Sequence, residues 1–242
     1  MLRLSVLVAG LAAGAFLTLP SSANIITNGS FESYGTTSYT NTNASGTVIG
    51  YKLSLGSTDS GLRTSTTALP GWTVSRTGDD FAWFVNQNYG QIGTIPDGNW
   101  ALALEKGEPV SQNFMAEVGK TYTVSYYVKS CYTNGDGSWG HLTSSIAVAA
   151  STLNLISYTQ TAPVGSGSSS LAQTTTPTGA WTTYTYVFTV GANTTATLNF
   201  ASADTDDSGV FLDNVVVTAV PEPGALALAA GLVIMVLGRR RS

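Results

Sequence analysis

Cysteine occurs once, at Cys131, so no disulfide can form within the chain. The expected role of that thiol is a small, half-buried hydrophobe; the alternative is a reactive or intermolecular thiol. Histidine also occurs once, at His141. There is no His-rich metal motif and no Gly-x-Ser-x-Gly elbow, so hydrolysis by a familiar triad or zinc centre has no support. Glu105, Glu108 and Glu117 are available carboxylates, but their spacing singles out no acid/base pair. Charge is scarce, at 10% of residues. Between the two chain-end segments described below, six basic residues face thirteen acidic ones, a net charge of −7. A basic face for phosphate is missing, which argues against a nucleic-acid partner. No segment of the body carries a helical hydrophobic period.

What the body does have is alternation. Tyr122, Val124, Tyr126 and Val128 fall on one face of a stretch whose other face is Thr121, Thr123, Ser125 and Tyr127. Tyr184, Tyr186, Phe188 and Val190 repeat the pattern, as do Ala196, Leu198 and Phe200. Further strands are expected at Ile25–Ile26, near 48–55, from Trp72, at 100–104, 110–114, 144–149, 153–158 and 210–218. Turn signals such as Asn28-Gly29 and Asp97-Gly98-Asn99 stand between them. Residues 33–69 read as a long loop with one weak strand, 79–91 as an aromatic-rich loop, 130–140 as a glycine-rich loop and 162–179 as a low-complexity loop. Many short strands of this kind predict an all-β chain folded as a single sandwich.

The two ends differ from the body. Residues 1–23 run from Arg3 through an apolar stretch, Leu4 to Leu19, to Pro20 and a small-residue Ser21-Ser22-Ala23 site. This is the pattern of a secretory signal peptide cut after Ala23. Residues 220–242 contain Pro221-Glu222-Pro223-Gly224, an apolar run from Ala225 to Leu237, and Arg239, Arg240 and Arg241. At ~1.5 Å per residue that run covers about two-thirds of a ~30 Å hydrocarbon core. Taken alone it equally fits a buried helix; the arginines favour a membrane segment with its basic end in the cytoplasm. The order of these parts resembles the PEP-CTERM sorting signal of Gram-negative bacteria that build exopolysaccharide. The resemblance implies a precursor held transiently in the inner membrane by a short helix and cut near Pro221-Glu222-Pro223 by an exosortase-type membrane protease. The alternative is a permanent membrane anchor.

A second resemblance runs from Asn24 to Val217, nearly the whole of the expected exported domain at residues 24–219. It rests on Asn28-Gly-Ser-Phe-Glu32, Pro70-Gly-Trp72, Asp97-Gly-Asn-Trp-Ala-Leu102, Ser111-Gln-Asn-Phe114, Gly119-Lys-Thr-Tyr-Thr-Val-Ser-Tyr126 and Phe211-Leu-Asp-Asn-Val215, in that order. Together they resemble the galactose-binding-like jelly roll of several carbohydrate-binding module families. That implies first and last strands lying side by side, with a structural calcium at the positions of Glu32 and Asp213. The residues offer their own reason for suspecting the ion. Asp213 lies in a stretch apolar on both faces, and a buried carboxylate calls for a cation. The acidic run from Asp204 to Asp207 fails the EF-hand spacing, because Val215 stands where a glutamate is needed.

Sugar binding calls for exposed aromatics. Trp72, Trp100 and Trp181 sit in strand patterns and are expected in the core. Trp83, Tyr89, Tyr132 and Trp139 sit in expected loops and are the candidate ligand contacts. The reading is an exported, non-catalytic surface or matrix protein that binds polysaccharide; the alternatives are a purely structural matrix protein or, further off, a carbohydrate-active enzyme.

Overall fold

The computed structural model describes residues 23–35, 37–53, 62–77, 82–105, 108–131, 140–204 and 209–221. Residues 1–22 of the expected signal segment (residues 1–23), Tyr132, Trp139, Glu222, Pro223 and Arg239–Arg241 therefore lie outside the described residues. Fourteen strands are described: β1 (Thr37–Thr42), β2 (Val48–Leu53), β3 (Leu62–Leu69), β4 (Trp72–Thr77), β5 (Trp83–Asn86), β6 (Trp100–Leu104), β7 (Pro109–Ala116), β8 (Lys120–Cys131), β9 (Leu142–Val148), β10 (Leu153–Tyr158), β11 (Ser170–Thr175), β12 (Thr182–Val190), β13 (Thr194–Ser202) and β14 (Gly209–Pro221). They form two antiparallel sheets, one in the order β1-β2-β5-β6-β14-β8-β12-β10 and the other β11-β9-β13-β7-β4-β3. No helix long and apolar enough to cross a membrane is present among the described residues.

The alternating strands build the core as their period dictates. Tyr122, Val124, Tyr126 and Val128 of β8 are buried, as are Tyr184, Tyr186, Phe188 and Val190 of β12. Opposite them, Ala196, Leu198 and Phe200 of β13 are fully buried. Tyr126 meets Phe200 edge-on across the sheets at 4.9 Å, so the two layers pack face to face as a jelly-roll sandwich. The phenol groups inside the core are partnered, as burial requires. Tyr126 donates to Gln173 Oε1 at 2.8 Å, and the Tyr186 hydroxyl lies 3.2 Å from Ser144 Oγ.

Several expectations are corrected. Ile25 and Ile26 are not in a strand; they belong to a strap, residues 23–35, joined to β14 by single bonds such as Ile25 N–H to Val217 O at 2.7 Å. Residues 33–69 hold three strands rather than one, because Thr- and Ser-rich segments can pair at sheet edges with few apolar anchors. The 79–91 loop contains β5, and the 162–179 loop contains β11. β14 runs past the expected end at residue 218 to Pro221, which pairs with Lys120. This proline stands at the ladder's end, where a missing donor is tolerated.

The strap is fixed by side chains. Asn24 accepts from Val217 N–H and donates to Val215 O; Gln112 of β7 bonds both the N–H and the C=O of Thr27. Trp72 donates its indole N–H to Asn28 O. At Gly29 a Cβ would lie 1.9 Å from Val215 O, so only glycine permits this approach. The strap thereby brings Glu32 to the turn before β6.

Candidate functional site

Two constellations arise from this framework. The first lies on the face of the eight-stranded sheet that points away from the sandwich core. Lys52, Trp83, Ala103, Phe211 and Lys129 stand in one row across β2, β5, β6, β14 and β8. A small second core covers this face, built from Val85, Ile92, Ile95, Ala101, Ala103, Cys131 and Phe211 with Trp83, Tyr89 and Trp181 packed against it. The segment after β5 lies over it. Lys129 Nζ donates to Ile92 O at 3.0 Å, and Tyr89 meets Phe211 edge-on at 5.8 Å. Burial lowers the Lys129 pKa and raises that of Tyr89.

Beside that cover is a depression of about 150 Å³ lined by Asn41, Trp83, Val85, Tyr89, Ala103, Glu105, Cys131 and Phe211. Its walls are aromatic and aliphatic, and Asn41 and Glu105 supply polar atoms. At ~30 Å³ per water it has room for about five waters, below the ~300–1,000 Å³ of pockets for drug-sized ligands. It suits one small ring. Lys52 Nζ lies 5.8 Å from the Trp83 ring centre. Cys131 is 2% exposed, donates to Gln91 Oε1, and has its thiol pKa pushed up to about 12, first by burial and then by Glu105. It is a wall residue rather than a nucleophile.

The structure thus brings Trp83 and Tyr89 together, with one correction. Trp83 is in a strand, β5, and half-buried, because its partners Lys52 and Ala103 place it inside the sheet. Trp100 and Trp181 are half-buried rather than core residues, whereas Trp72 is fully buried. Asn41, Cys131 and Phe211 were not foreseen at the site, because only strand pairing brings them there. Glu105 was visible as a carboxylate, but nothing local tied it to an aromatic.

The second constellation joins Glu32 and Asp213 through the turn at residues 97–100. Asp213 follows Phe211 by two positions in β14 and is fully buried under that turn. Its Oδ2 accepts from Asp97 N–H at 2.9 Å and its Oδ1 from Asn214 N–H at 2.7 Å. Glu32 Oε1 accepts from the N–H groups of Asn99 and Trp100 at 2.8 and 2.9 Å. A bulge follows Asp213, with Asn214 at φ 46°, yet Asp213 stays buried instead of reaching solvent. Burial, reinforced by the Asp97 and Glu32 carboxylates and opposed by the two N–H bonds, pushes the Asp213 pKa up to about 7. The donors are oxygens and the local charge is negative, which fits a hard cation. No three His, Cys, Asp or Glu side chains converge as a metal cage among the described residues, so an ion here would also need backbone carbonyls.

Asp204, at the head of the acidic run, accepts from His141 N–H and lies 3.0 Å from His141 Nδ1. Residues 205–208 lie outside the described residues.

No protein-family model matches the chain, and no characterised protein matches it in sequence. Solved structures resemble it in three dimensions. The enzymatically active domain of tailspike protein 4 from bacteriophage CBA120 is 16% identical with a TM-score of 0.43; the match covers 62% of this chain and 20% of the tailspike chain. The Stig cyclase Fisc from Fischerella sp. TAU is 15% identical with a TM-score of 0.46, covering 83% and 99%. TmCBM61, solved with β-1,4-galactotriose, is 14% identical with a TM-score of 0.40, covering 63% and 90%. This chain spans about a fifth of the tailspike chain.

Proposed function

We propose that this is an exported, non-catalytic protein of the cell surface or extracellular matrix that binds polysaccharide through the Trp83–Tyr89 depression. The observation that carries the reading is the pairing of two aromatic side chains with Asn41 and Glu105 around a space the size of one sugar ring. Aromatic faces pack against the C–H face of a pyranose, and the polar atoms bond its hydroxyls. Export is supported by the two end segments of the sequence. In this reading an exosortase-type protease cuts near Pro221-Glu222-Pro223, and Arg239–Arg241 hold the uncut precursor in the inner membrane. Calcium is the proposed structural ion, held by Glu32, Asp213 and neighbouring carbonyls, where it would offset the buried charge.

A purely structural matrix role is the second reading. It draws on the outer face of the six-stranded sheet, where Thr73, Ser111, Asn199, Ser145 and Ala172 form an uncharged row over five strands. Retention on polysaccharide columns separates the two: selective, saturable retention supports the first, and unselective adhesion supports the second.

A further inference from the structure

The last strand runs in register to Pro221, opposite Lys120. Four residue steps separate Pro221 from Ala225, the first residue of the apolar run. Fully extended, they reach about 14 Å. The headgroup layer takes roughly 5–8 Å of that on each side of the bilayer. In the anchored precursor, this end of the sandwich is therefore within about 10 Å of the headgroups.

The strand registers show what else lies at this end. Ala116 pairs with Thr194, Val190 with Leu153, and Ala196 with Val148, so the β7–β8, β12–β13 and β9–β10 turns all sit beside the end of β14. Exposed apolar side chains stand at this end, Val118 in the β7–β8 turn, Met115 in the last residues of β7 and Val220 in the last residues of β14. Val118 is 55% exposed, Met115 62% and Val220 46%. Asn193 Oδ1 accepts from Val118 N–H at 2.8 Å, so one turn holds the other's valine in place. Ala149, Ala150, Gly191 and Ala192, with Ser151 and Thr152, line a shallow 510 Å³ basin alongside. Glu117 and Lys120 pair at 2.8 Å and cancel in charge, although the domain as a whole is acidic. An acidic surface is repelled by anionic lipid; among the described residues, the charged pair at this end carries no net charge.

We infer that the end bearing Val118, Met115 and Val220 is a lipid-facing surface that rests on the membrane interface while the chain is anchored. The inference rests on the anchored reading above. The geometry favours lipid over a protein partner, because the tether delivers this end to the bilayer without any further recognition.

The test uses the full chain, reconstituted into phosphatidylcholine vesicles carrying a headgroup quencher. A fluorophore is placed at Val118→Cys or, at the opposite end, at Thr178→Cys; buried Cys131 does not compete for label. Thr178 is exposed and its carbonyl bonds Ser130 near the far end of β8. Flotation with the vesicles reads anchoring separately. The expected result is a floating chain with label at 118 quenched several-fold more than label at 178. Equal, weak quenching in a floating chain overturns the inference and leaves anchoring intact. A chain that does not float overturns both. A change at 118 that follows protein concentration and ignores vesicles assigns this end to a second copy and overturns the inference.

Discussion

Asp213 concentrates the electrostatics of the fold in one side chain. Its pKa is near 7 when folded against an ordinary value of 3.8. Between those values the folded chain keeps a proton that the unfolded chain has lost, so stability is present below pH ~4 and falls as pH rises towards 7. In EDTA, the melting temperature should therefore decrease across that window, and calcium should restore it at pH 7. Asp213→Asn should abolish the calcium response, read in the same melts. Gly98 is the companion test. It holds φ 75°, and a Cβ there would lie 2.2 Å from the Glu32 carboxyl carbon. Gly98→Ala should cost about 1–3 kcal/mol, read as a fall of roughly 2–4 °C in Tm per kcal/mol. Asp213 was legible because Phe211 and Val215 flank it with apolar side chains. Asp97 was not, since its own neighbourhood reads only as a turn and its place over Asp213 depends on packing of residues 116 positions apart.

Among the elements, the strap at residues 23–35 is tied to β14 through Asn24 and backbone bonds, and to β7 through the Gln112 side chain. Gln112→Ala leaves Thr27 without partners for its N–H and its C=O, at a cost of about 1–3 kcal/mol. Limited proteolysis should then cut within 23–35 before the sandwich unfolds, while the wild type resists. The strands of the two sheet centres were readable because burial on one face enforces a period of two, as in β8, β12 and β13. The misread elements sit at sheet edges or beneath loops. β1 and β3 are edge strands rich in threonine and serine, and β11 lies in a stretch of serine, glycine and threonine. Such strands take their register from a neighbour, so their own pattern is faint. β5 spans four residues, too short for an alternation to declare itself.

At the scale of the molecule, two sheets enclose one core, and a second apolar layer lies outside the larger sheet. The second layer is what turns an ordinary sandwich into one with a candidate binding face. Its cover spans the end of β5 to the start of β6, and its floor comes from β6, β14 and β8. The sequence pattern identified Trp83 and Tyr89 as candidates, but their convergence with Asn41, Glu105 and Phe211 exists only after the sheet has formed.

The most direct measurement is retention of the folded chain, residues 24–221, on a panel of neutral and acidic polysaccharides, beside a Trp83→Ala/Tyr89→Ala variant of matched fold by circular dichroism. The account predicts selective retention of the wild type, displaced by short oligosaccharides of the same polymer and lost in the variant. Equal retention of the two proteins, or no retention of a folded wild type on any polysaccharide, would contradict it.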